Sequence, residues 1–153
     1  MGHEEQMARP LDDTDRRILA ILREDGRISM RALAEQVHIS RPNAYARVER
    51  LRADGVIKGF TVRVDPVRAG LQTSAYVTLK IEQNSWRTLR QRVGTLPHVE
   101  HIALVSGDFD VLLLVRTKDN AELRNLVLDR LHDMPEVRSS RTLLVFDDSH
   151  APG

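Results

Sequence analysis

The chain has 153 residues, enough for one ordinary domain or two small ones, and a formal net charge of +1, which excludes a uniformly basic binder of polyanions. The absence of cysteine excludes disulfides, cysteine-based zinc sites and thiol catalysis and fits a cytoplasmic protein, while 4% aromatic content argues against a base-stacking RNA platform. The longest apolar run, Val111 to Val115, is far too short to cross a bilayer, and no signal peptide is recognisable.

Residues 1–10 read as a disordered leader. A first helix is predicted to start near Asp12, with Asp15 three residues on in capping-box spacing. It would bury Ile18, Leu19 and Leu22 and stop near Gly26.

From Ile28 to Gly55 the sequence writes two short helices around a tight turn. Ser29 is placed to cap the first, whose Leu33 and Val37 lie one turn apart, and Ser40 to cap the second. In the second, Ala44, Val48 and Leu51 recur at i, i+4 and i+7, a buried stripe that leaves Pro42, Asn43, Ala46 and Arg50 on the open side with Arg41 and Arg47 at its flanks. Pro42 falls in the first turn, where no intrahelical N–H is needed, and Gly55 sits where a helix ends. Residues 40–63 carry six basic residues against two acidic ones, a local +4 in a nearly neutral chain. A local cationic patch on a helix-turn-helix is the electrostatic footprint expected of a reader of double-stranded DNA. Arg41, Asn43 and Arg47 are predicted to lie nearest the base edges, and Ser40, Arg50 and Lys58 to hold phosphates. After Gly55 the segment VIKGFTVRV alternates around Gly59 as a short hairpin or wing, completing a domain over 11–64. Asp65 and Pro66 then open a linker over 65–72.

A second domain is predicted over 73–146. Ala75, Val77, Leu79 and Ile81 line one side of a strand; Trp86, Leu89, Val93 and Leu96 form a helical stripe that Pro97 stops. Strands follow at 99–105 and 111–115 around Gly107-Asp108. Asp119 and Glu122 then offer another capping box before a helix burying Leu123, Val127 and Leu131, and a strand over 137–146 ends the set. Leu96-Pro97-His98-Val99 and Met134-Pro135-Glu136-Val137 repeat one phrase 38 residues apart, as two strand-helix-strand halves of a ferredoxin-like βαββαβ sheet would. The fold class is therefore α+β, an N-terminal winged helix-turn-helix followed by a ferredoxin-like domain, with a polar tail at 147–153. Helices cover only one face of such a sheet, yet Val111 to Val115 and Leu143 to Phe146 do not alternate. A second subunit covering the other face, in a twofold homodimer, is the expected consequence.

Four segments in this order, LDDTDRRILAILREDGR, ISRPNAYARVERLRADGVIKGF, VDPVRAGL and SGDFDVLLLV, resemble the Lrp/AsnC (feast/famine) family of transcription regulators over roughly residues 11–146. The resemblance implies a DNA-binding regulator that forms dimers assembling to octamers and responds to amino acids. Tyr45 departs from it, standing where a small aliphatic residue is expected. Within that frame the turn Ser106-Gly107-Asp108-Phe109-Asp110 is the candidate effector site: glycine lets backbone N–H groups approach a carboxylate, and an aspartate can accept from an ammonium. No resident cofactor is expected. The six histidines show no metal-ligand spacing, His98 and His101 pointing to opposite faces of an extended strand, and no phosphate loop, nucleophile elbow or catalytic triad is present. A rival reading comes from siroheme decarboxylases, which reuse this architecture as an enzyme; His101 and Arg116 would then address tetrapyrrole carboxylates. The intact cationic helix at 40–54 favours the regulator.

Overall fold

The computed structural model describes residues 9–149, so most of the expected leader and the last residues of the expected tail lie outside it. The described residues divide into two compact units, 9–63 and 64–149.

The first unit is built on three helices, α1 (Asp13–Glu24), α2 (Met30–Val37) and α3 (Arg41–Ala53). The capping box at α1 is reciprocal: Asp12 Oδ1 accepts the Asp15 N–H at 2.8 Å, and Asp15 Oδ2 accepts the Asp12 N–H at 3.2 Å. Ile18 and Leu22 of α1, Leu33 and Val37 of α2, and Val48 and Leu51 of α3 form one core, on which Val56 and Ile57 also pack. Arg17 clamps α2 from outside, its Nη2 donating to the Gln36 carbonyl at 2.9 Å. The expected hairpin around Gly59 does not form. Residues 58–64 run without a strand ladder, because Gly59 does not adopt the positive φ that a tight hairpin turn requires. Phe60, Val62 and Val64 stay exposed along this segment.

The second unit is a four-stranded antiparallel sheet of β1 (Thr73–Ile81), β2 (Val99–Leu104), β3 (Val111–Thr117) and β4 (Val137–Leu144), in the order β2-β3-β1-β4. That order is the ferredoxin-like one. Ala75, Val77, Leu79, Val111, Leu113 and Val115 are fully buried from one face, packed with Leu89 and Val93 of α4 (Trp86–Gly94) and Leu123 of α5 (Asn120–Asn125). The helix opened by α5 was expected to stay regular, but it passes into a π-helical segment, Leu126–Leu131, closed by a His132 N–H bond to the Val127 carbonyl. The wider turn lets Leu126 join Val127 and Leu131 in the core. The Asp119 cap is also one-sided: Asp119 accepts the Glu122 N–H, but Glu122 reaches back to the Lys118 N–H.

On the other sheet face, register places Tyr76, Thr78, Leu112, Leu114 and Leu143 side by side. Tyr76 and Leu143 remain 36% and 48% exposed. Among the described residues of this unit no element covers this apolar strip. The Val145 N–H donates to the Ser74 carbonyl just past β4, and the expected tail is anchored where Arg116 reaches Asp148.

Candidate nucleic-acid interface and effector turn

α2 and α3 are joined by three residues whose geometry follows from their chemistry. His38 takes a left-handed conformation (φ 57°), ending α2, and the Ile39 N–H bonds back to the Ala34 carbonyl. Ser29 Oγ accepts the Ala32 N–H at 3.1 Å and Ser40 Oγ accepts the Asn43 N–H at 3.3 Å, so each helix begins on a serine cap. Pro42 sits in the first turn of α3, and Gly55 closes it at φ 72°. Because Ala44, Val48 and Leu51 are buried, the opposite side of α3 faces solvent, and Arg41, Pro42, Asn43, Tyr45 and Ala46 are all exposed.

Arg47 and Arg50 are not presented as the helical pattern led us to expect. They lie on the flank of α3 that borders α1, where Asp15, only 1% exposed, draws both guanidinium groups inward. Arg47 Nη1 donates to Asp15 Oδ1 at 2.8 Å and to Asp12 Oδ2 at 2.7 Å. Arg50 Nη2 reaches both Asp15 oxygens at 2.7 Å. Hydrogen bonding from Arg47, then the Asp15 N–H, holds the Asp12 carboxyl down at about 2, and the same pairing raises the Arg47 pKa. Two of the six local cations are therefore neutralised by aspartates outside the 40–63 window. Arg47 Nε also donates to Asn43 Oδ1 at 3.2 Å, occupying the acceptor that a bidentate contact with adenine would need. Arg41 and Lys58 are exposed with no ion-pair partner among the described residues, whereas Arg52 pairs with Glu49 at 3.3 Å. Sequence spacing had no means of finding the Asp15 contact, because its partners are 32 and 35 residues away.

The turn from Ser106 to Asp110 joins β2 to β3. Gly107 has φ 131°, a conformation that side chains rarely adopt, while Ser106 and Asp108 are exposed and Phe109 is half-buried. Asp110 is largely committed to the sheet. Its Oδ2 accepts the Ile81 N–H at 2.9 Å, its own N–H donates to the Leu79 carbonyl, and its carbonyl accepts the Val105 N–H. The other carboxylate oxygen makes no hydrogen bond among the described residues.

The residues of the rival reading are differently placed. Arg116, 6% exposed, donates to Glu100 and Asp148 carboxylates at 2.8 and 2.7 Å and to Ser74 Oγ at 2.7 Å, so its charge is already matched twice. His101 sits opposite Leu114 on β2, while His98 lies before that strand at φ 75° and contacts Glu122 at 3.1 Å. No group of His, Asp and Glu among the described residues is arranged to hold a metal ion, and no described helix is long and apolar enough to cross a membrane.

A capped helix-turn-helix with an exposed, cation-bearing second helix, followed by a ferredoxin-like sheet, defines a two-part DNA-binding regulator. Residues 11–58 match the model of a winged helix-turn-helix DNA-binding domain and residues 74–150 that of the Lrp/AsnC ligand binding domain. The HTH-type transcriptional regulator AldR of Mycolicibacterium smegmatis is 36% identical over 92% of this chain and 84% of its own length. The HTH-type transcriptional regulator FL11 of Pyrococcus horikoshii is 30% identical over 89% of each. The crystal structure of the leucine response regulatory protein of Mycobacterium tuberculosis superposes with a TM-score of 0.82 at 28% identity, covering 92% of this chain and 96% of that one. The protein belongs to the Lrp/AsnC family of DNA-binding transcriptional regulators.

Proposed function

We propose that this protein is a cytoplasmic, sequence-specific regulator that acts as a homodimer, assembles further to an octamer, and changes its assembly or DNA grip when an amino acid binds. The reading rests above all on the exposed N-terminal half of α3, capped by Ser40 and carrying Arg41, Pro42 and Asn43 toward solvent. That half enters the major groove. Ser40 and Lys58 hold phosphates, Arg41 and Asn43 approach base edges, and Arg47 and Arg50 serve by fixing the angle of α3 against α1. The strip of exposed Tyr76 and Leu143 with half-buried Leu112 and Leu114 supports the dimer, since full burial of each large apolar side chain contributes about 1.5–3 kcal/mol. A twofold pair of heads then calls for an inverted-repeat site with half-sites about one helical turn, or a multiple of it, apart.

The effector binds at Ser106–Asp110, a reading supported by the left-handed Gly107, which opens the backbone to a carboxylate, and by Asp108 and Asp110, which carry acceptors for an ammonium. That the M. tuberculosis relative is a leucine response regulatory protein favours the amino-acid class. A ligand held between subunits favours whichever arrangement fits it better and so alters the spacing of the heads. The test is a footprint across the protein's own promoter, with and without each of the twenty amino acids. A protected inverted repeat that changes with one of them is expected; no protection at any concentration would refute the DNA-reading assignment, and protection indifferent to all twenty would refute the effector.

A further inference from the structure

We infer that Tyr45 determines the operator sequence by reading a thymine methyl group, an assignment that rests on the docking of α3 proposed above. Of the two arginines that the helical pattern offered for base reading, Arg41 is exposed and without an ion-pair partner among the described residues, while Arg47 is engaged within the domain. Arg47 and Arg50 are tied to Asp12 and Asp15, and Asn43 has its side-chain acceptor occupied by Arg47. All of these contacts lie on the α1 flank of the helix. On the other flank Tyr45 is 52% exposed, and its hydroxyl makes no hydrogen bond among the described residues. Its neighbour Ala46 is exposed too and carries only a methyl group, so the backbone can approach a groove floor closely at this point. Pro42, one turn earlier, extends the same apolar surface.

An apolar surface on a recognition helix has one specific target in the major groove, the thymine 5-methyl, which no other base carries. Burying one methyl group corresponds to about a three- to fivefold gain in affinity. A twofold dimer uses the contact once in each half-site, which squares the gain for the whole site.

The experiment uses the full chain. Preferred duplexes are selected from a random-sequence library, and the best one is then resynthesised with uracil replacing thymine at each position in turn, symmetrically in both half-sites. The wild-type protein is expected to lose about tenfold in affinity at one such position, and Tyr45→Ala to bind the thymine and uracil duplexes equally. Tyr45→Phe keeps the ring and so keeps the discrimination. If the wild type selects a motif but no thymine-to-uracil change alters binding more than twofold, or if Tyr45→Ala discriminates as the wild type does, the Tyr45 assignment is overturned while the docking of α3 stands. If the wild type selects no motif at all, the docking itself fails.

Discussion

Replacing Asp15 with alanine removes the one buried carboxylate that holds α3 against α1. Three arginine–carboxylate hydrogen bonds under 3 Å disappear, together with the return half of the α1 capping box. Hydrogen bonds to charged groups contribute about 1.5–3 kcal/mol, and removing one member of a fully buried ion pair costs about 3–5 kcal/mol. The guanidinium side chains here are 20% and 30% exposed, so water re-solvates them and the loss is discounted to about 2–3 kcal/mol. Amide hydrogen exchange in the full chain reads this directly. Protection at Ile18–Leu22 and Ala44–Leu51 is expected to fall about 30- to 150-fold, while the sheet amides at Val111–Val115 stay unchanged as an internal control. A fall of less than twofold in α1 and α3 would refute the lock. The same cluster sets a pH dependence. The Asp12 carboxyl is held at about 2 against an ordinary 3.8, so its contribution is fully present above the ordinary value and is lost as pH falls from about 4 through 2. Protection of α1 should therefore decline across that window, and this group gives no reason for change between pH 5 and 8.

An aspartate at Leu114 places a charge in the middle of the uncovered strip, so Leu114→Asp is expected to sediment as a folded monomer at micromolar concentration where the wild type sediments as a dimer or larger; a monomeric wild type would sink the dimer. At Gly107 (φ 131°) an added side chain strains the proposed effector turn, so Gly107→Ala should lower stability by about 1–2 kcal/mol and abolish any amino-acid-dependent change in assembly; an unchanged melting temperature would contradict the strained geometry.

What was legible in advance was local. The serines at 29 and 40, the Asp12–Asp15 box and the stripe Ala44, Val48, Leu51 all act within four residues, and the folded chain uses each as its spacing implied. The sheet was readable because its two halves repeat one phrase and its core residues alternate at period two. The hairpin ladder around Gly59 was over-read, since alternation in VIKGFTVRV specifies extended chain but supplies no partner strand. Likewise the π-helical widening at Leu126–Leu131 left no mark in the apolar spacing, because Leu123, Val127 and Leu131 suit an α-helix equally well.

By itself, then, the sequence determined which segments are helix or strand, which faces are apolar and where the helices begin, because those properties depend on neighbours a few bonds away. Only the tertiary structure decided what the charged side chains do. That Arg47 and Arg50 pair with Asp15, that Asp110 accepts the Ile81 N–H, and that Arg116 pairs with Asp148 follow from packing of residues 29 to 35 positions apart. Electrostatic pairing acts through space, and no spacing rule along the chain encodes it.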